Sequence, residues 1–232
     1  MISARVQPSG PELASSGSSR RDDDLGTQFE ALARRLHAAL KRPDQPSCLI
    51  GVTSCARAEG VSTVAHNLAA YATHVVGCSV LLLEANVDHP SAAERLGVPV
   101  APGLVEGLAK PDRWNDCLHR SPVSNVWVMP AGRGTAKTRH MANLAGLDQL
   151  LESLRNRFPF IVVDLPPATE SVFGLAVAEC LDGVLLVLEA ERMRVQVVER
   201  AKQLFEQSQV NLLGAVLNKR RMHIPGWLYR RL

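Results

Sequence analysis

Short apolar runs alternate with longer segments of helical period along most of the chain. CLIGVT, SVLLLEA, NVWVMPA, FIVVDLPP, DGVLLVLEA and NLLGAVLNK are rich in Val, Leu and Ile and bounded by Gly, Pro or polar clusters, so each predicts a strand. Between them, VAHNLAAYATHVV, LAGLDQLLESLRNR, SVFGLAVAEC and RVQVVERAKQLFEQ predict helices, and a looped region follows SVLLLEA. Ahead of the first strand, FEALARRLHAAL sets Phe29, Leu32, Leu36 and Leu40 at helical spacing, which predicts an amphipathic helix from Thr27 that ends where KRPDQPS breaks the pattern. Strands that are apolar on both sides need helices over both sheet faces. The expected fold is therefore α/β, a doubly wound, mostly parallel sheet. Such sheets bind ligands at the carboxyl ends of their strands, where SCARAEGVST, EANVD and DLPP place their polar residues.

At 232 residues, 46% hydrophobic and 21% charged, the chain predicts one large domain over residues 27–218. Residues 1–26 are rich in Ser, Gly, Pro and charge, and predict a flexible leader. The net charge of +3 is unevenly placed: residues 219–232 (KRRMHIPGWLYRRL) form a basic tail without an acid, while the body is near neutral. That tail suits an anionic membrane surface or an acidic partner, and with no nucleic-acid-binding fold signature beside it no nucleic acid is expected. Trp227, Leu228 and Tyr229 with Arg230 and Arg231 suit a membrane interface or a plain basic end. Cys48, Cys55, Cys78, Cys117 and Cys180 are odd in number and contain no CxxC pair, which predicts reduced thiols, mostly buried, in the cytoplasm. No apolar stretch is long enough to span a bilayer, so membrane contact is expected only through a partner or the tail.

SCARAEGVST lies between a predicted strand and a predicted helix, where a phosphate-binding loop belongs. Such a loop wraps phosphates in backbone N–H groups at a helix start, adds a Lys for charge, and follows it with a hydroxyl for Mg²⁺. Here Arg57, Ala58, Glu59, Gly60, Val61, Ser62 and Thr63 form the candidate nucleotide-binding segment, with Val61 where the Lys belongs. The same residues also read as a capped helix start, with Ser62 or Thr63 satisfying end amides. Asp164 closes an apolar strand, and with Ser62 forms the candidate Mg²⁺ pair; its other reading is a strand-end acid. His66, His74 and His119 share no ligand spacing and read as surface or packed rings, Trp114 and Trp127 as packing, and Arg192 and Arg194 as a solvated pair beside the strand ends.

These motifs together resemble the bacterial tyrosine kinases of capsule and exopolysaccharide synthesis (BY-kinases), within the wider deviant, MinD/ParA-like P-loop ATPases. The likeness runs from Phe29 to Lys219: VTSCARAEGVSTVAHNLAAYA is similar to their Walker A segment, VLLLEANVDHP to their second acidic motif and FIVVDLPPA to their Walker B. PGLVEGLA, VWVMPAG, LDGVLLVLEAERMR and LLGAVLNK resemble further landmarks in the same order. The departures fall on the chemistry. The Walker Lys is Val61, the usual Pro-Gly is Arg57 and Ala58, and the second motif's two Asp are Glu84 and Asn86, with Asp88 in place of a basic residue. The family's tyrosine cluster, its phosphoacceptor, is represented at most by Tyr229, because Tyr71 lies in a helix expected to pack. FEALARRLHAAL also lacks the Glu and Arg spacing through which relatives form rings, which leaves self-association open.

The resemblance implies a catalytically impaired kinase relative, a pseudokinase, partnered by a transmembrane chain-length regulator (polysaccharide co-polymerase) and peripheral to the membrane through it. No catalytic cofactor is expected, and ATP or ADP with Mg²⁺ would be held only weakly. Family-equivalent catalytic positions are Glu84, Asn86 and Asp164, with Glu84 reaching a metal through its longer arm. Two alternatives stay open: an active tyrosine autokinase or ATPase in which Arg57 or a partner residue replaces the Lys, and a membrane-positioning switch like the cell-division and partition ATPases.

Overall fold

The computed structural model describes residues 19–43, 45, 47–122, 124–133, 146–191 and 194–219. Strands β1 (Cys48–Ser54), β2 (Val80–Glu84), β3 (His119–Arg120), β4 (Val126–Met129), β5 (Phe160–Asp164), β6 (Gly183–Glu189) and β7 (Leu212–Asn218) form one sheet in the order β3-β4-β2-β5-β1-β6-β7. All pairings are parallel except β3 with β4. The two-residue β3 carries too little sequence to show an apolar run, which is why the alternation of segments does not predict it.

Helices α1 (Ser19–Leu40) and α2 (Val61–Val76) cover one face. On the other lie α4 (Leu104–Ala109), α5 (Leu147–Arg155), α6 (Val172–Glu179) and α7 (Val195–Gln207), while the short α3 (Ala92–Leu96) follows β2. The strand residues divide between the two faces by the two-residue period: Ile50, Val52, Leu82 and Val162 enter the α1/α2 core, and Leu49, Leu81, Leu83 and Val163 the opposite one. Helix α1 begins at Ser19, eight residues ahead of the expected start at Thr27, so the expected leader of residues 1–26 gives up its last turns to the helix. No helix among the described residues is long and apolar enough to cross a membrane.

Three parallel strand ends set the site. Val52 of β1 and Glu84 of β2 both pair with Asp164 of β5, which brings the two acids Glu84 and Asp164 beside the loop leaving β1. Phe29 fixes α1 over this arrangement: it is fully buried and stacks on Tyr71 of α2 with ring centroids 6.0 Å apart. Replacing Phe29 with Ala removes a buried ring and leaves a cavity, so urea unfolding should show a loss of about 3–5 kcal/mol. A loss below about 1 kcal/mol would mean that α1 is not part of the cooperative core.

Candidate functional site

The loop from β1 to α2 is held in shape by Glu59, whose side chain is turned inward and 2% exposed. Its Oε2 accepts the N–H groups of Cys55 and Ala56, each at 2.9 Å, and its Oε1 accepts the Glu189 N–H from the end of β6 at 3.3 Å. Ala58 adopts φ +63 and Gly60 φ +93, left-handed conformations that fold the chain back to start α2. A Cβ at Gly60 would come within 2.0 Å of the Asn218 side-chain nitrogen. That nitrogen donates to the Glu59 carbonyl at 2.8 Å, while Lys219 Nζ donates to the Ala58 carbonyl and pairs with Glu189 at 3.3 Å. On the other flank the Thr169 hydroxyl donates to the Cys55 carbonyl at 3.0 Å. The Cys55 thiol beneath is pushed up to about 11 by burial and then by Glu59, so it stays protonated.

The first turn of α2 follows. Gly60 provides no side-chain cap and the turn contains no acid; Ser62 and Thr63 lie inside the turn, so neither serves as the helix cap and the end amides are without one. Val61 is half-buried and packs against the core under α2. Its isopropyl group is thus partly withdrawn from the space expected for polyphosphate.

Asp164 is completely buried at the end of β5, and neither carboxylate oxygen has a hydrogen bond of acceptable geometry. Burial pushes its pKa up to about 7; the nearby Ser62 hydroxyl lowers it, Glu84 raises it and Arg95 lowers it in turn. An orphaned carboxylate beside a serine hydroxyl fits a hard cation such as Mg²⁺. The metal-facing half of the site therefore suits Mg²⁺ and the loop amides suit phosphate oxygens, but position 61 supplies no charge.

Glu84 is also fully buried, with both oxygens engaged. Oε1 accepts the N–H groups of Ser91 and of Ala92, the latter at 2.7 Å, and Oε2 accepts the Ala131 N–H at 3.1 Å. Glu84 thereby braces α3 and the segment after β4. Asn86 turns its carbonyl oxygen into the interior without a hydrogen-bond partner.

Arg57 contacts Glu170 at 2.5 Å and His89, bridging the loops after β1, β5 and β2 with its side chain 57% exposed. The cation that meets α2 comes instead from α3: Arg95 Nη1 donates to Thr63 Oγ1 at 3.0 Å. Nothing in the residue pattern singled it out, because its placement depends on where α3 lands. His74 pairs with Glu30 at 2.9 Å and His119 with the Pro102 carbonyl at 2.8 Å. His66 is lowered to about 4, first by burial and then by Arg95, so it is neutral. Trp114 and Trp127 both lie against the Arg157 guanidinium, which packs them as expected. Arg194 is exposed at the start of α7. Cys48, Cys55 and Cys117 are buried and Cys180 half-buried, but Cys78 is exposed, and all five are free. Arg192, Tyr229 and the tail beyond Lys219 lie outside the described residues.

The buried Asp164 makes stability depend on pH. The folded carboxyl titrates near 7 and the unfolded one near 3.8, so the folded state keeps an extra proton between those values and stability falls as pH rises through that window. In chelator, Asp164→Asn should remove this loss, a difference on the order of 4 kcal/mol at its upper limit. Thermal melts of the two proteins that run parallel from acid to neutral pH would contradict it.

With this geometry in place, comparison with known proteins is direct. The family model described as ParA: NUBPL iron-transfer P-loop NTPase matches residues 47–227. Tyrosine-protein kinase CpsD of Streptococcus agalactiae is 29% identical over 175 residues, 74% of this chain and 74% of that protein. The succinoglycan biosynthesis transport protein ExoP of Rhizobium meliloti is 31% identical over 186 residues, which are 78% of this chain but 23% of ExoP. Among solved structures, the kinase domain of Escherichia coli tyrosine kinase ETK superposes with a TM-score of 0.77 at 22% identity, covering 87% of this chain and 79% of that one. The chain belongs to the ParA family of P-loop NTPases, with bacterial tyrosine kinases of polysaccharide synthesis and export among its relatives.

Proposed function

We propose that this protein is a non-phosphorylating member of the polysaccharide-synthesis kinases, acting as a scaffold or regulatory subunit on the cytoplasmic segment of a transmembrane chain-length regulator. It works at the membrane through that partner. The observation that carries the reading is Val61, an aliphatic side chain packed on the core at the first residue of α2, inside a loop otherwise fully built. Two further features support it: Glu84 is committed to three backbone amides, and Arg57 is engaged by Glu170 and His89. When bound, Mg-ATP supplies the phosphoryl group; here Ser62 and Asp164 would hold the metal and the loop amides the phosphates. Phosphoryl transfer needs positive charge on the equatorial oxygens, which a valine does not provide. The match to ExoP supports the partner: this chain corresponds to 23% of that transport protein, so a domain of this type operates there joined to a larger one.

Incubating the purified protein with Mg-ATP, alone and with the cytoplasmic segment of a chain-length regulator, should give no phosphate release above background and no phosphorylated Tyr229. Steady turnover that Asp164→Ala abolishes would overturn the reading, as would failure to bind the segment. Val61→Lys should tighten ATP by about tenfold to a hundredfold, from the roughly 1.5–3 kcal/mol of a hydrogen bond to a charged group. Because Glu84 and Asn86 stay as they are, that variant should gain binding far more than turnover; calorimetry and phosphate release measured on one sample separate the two.

A further inference from the structure

A helix start alone does not make an anion site, but this one is met by a guanidinium from another element. Thr63 is the third residue of α2, and the Arg95 Nη1–Thr63 Oγ1 bond of 3.0 Å puts the Arg95 charge at the uncapped, acid-free first turn. The same charge is felt by groups buried below: it opposes the upward push of burial on Asp164 and adds to the downward push of burial on His66. Arg95 is exposed, so its fork remains open to a ligand arriving from solvent.

Glu84 determines where this arginine stands. Its carboxylate anchors the Ser91 and Ala92 amides at the start of α3, and one turn later the Arg95 N–H donates to the Ser91 carbonyl at 3.1 Å. The acid at the end of β2 thus fixes the short helix whose last turn carries the cation. The other basic residues bonded at the loop are Lys219, on the Ala58 carbonyl, and Arg57, on Glu170 and His89.

We infer that Arg95 supplies the positive charge that position 61 lacks, so that the loop grips the phosphates of a nucleoside di- or triphosphate between the α2 amides and the Arg95 guanidinium. The inference deepens the non-phosphorylating reading above, in which the loop amides would hold the phosphates, and rests on it. A guanidinium gives phosphate two parallel N–H donors, a geometry suited to holding. It approaches from the Thr63 side, two residues along the helix from position 61, so the charge is displaced from the place a loop lysine would occupy.

The test is calorimetric titration of the full chain with ADP, ATP and adenosine. ADP should bind and adenosine should not. Arg95→Ala should weaken ADP by about tenfold to a hundredfold, the range expected for a lost charged hydrogen bond. Arg95→Lys should retain part of the affinity, and both variants should melt like the parent because the residue is exposed. ADP affinity unchanged in Arg95→Ala, adenosine binding as tightly as ADP, or a parent protein that binds no ADP each overturns the assignment of Arg95. The last of these leaves the non-phosphorylating scaffold standing. ATP turnover by the parent overturns the scaffold instead, and the Arg95 variants still decide the grip by their affinities.

Discussion

One buried carboxylate gives the loop its form. Glu59 collects N–H groups from the loop's own beginning and from the end of β6, so the chain between β1 and α2 is closed around an internal acceptor. Loops of this kind are usually pictured as shaped by the anion they hold. In this protein some of the amides that would otherwise need an outside partner are satisfied from within by Glu59, and the first turn of α2 has no side-chain cap. The cradle therefore keeps its outline whatever stands at position 61, and the valine there costs charge without costing architecture.

The replacements around the loop act together when viewed in space. Glu84 stands at a strand end beside Asp164, yet its extra methylene carries the carboxylate to the start of α3. A side chain of that length serves as a brace. Two acids converge on the same corner, one tied to backbone amides and one without a hydrogen bond, and burial treats them differently. Glu84 is compensated by three N–H donors, whereas Asp164 has to hold a proton or await a cation.

Most of the fold was legible from apolar runs and their spacing because the central strands β1, β2 and β5 are buried on both faces and leave an uninterrupted signature. The exceptions were elements whose stability is tertiary: β3 exists because it pairs with β4, and the first turns of α1 extend a pattern whose apolar anchor, Phe29, comes later. At the site, Gly60, Ser62 and Asp164 were readable because loop-to-helix and strand-end positions constrain residue type. The bracing roles of Glu59 and Glu84 and the placement of Arg95 were not readable, for one reason. Their roles depend on which backbone amides or hydroxyls come within reach after folding, and residues as distant in sequence as Glu59 and Glu189, or Thr63 and Arg95, carry no shared local signal.

The junction between β7 and the basic end has a mechanical meaning. Asn218 is the final residue of the sheet and Lys219 the first beyond it, and these neighbours clasp the Glu59 and Ala58 carbonyls. Any tension on the chain beyond Lys219 enters the body through that clasp. The chain that follows β7 is thereby geared to the turn of backbone that opens α2.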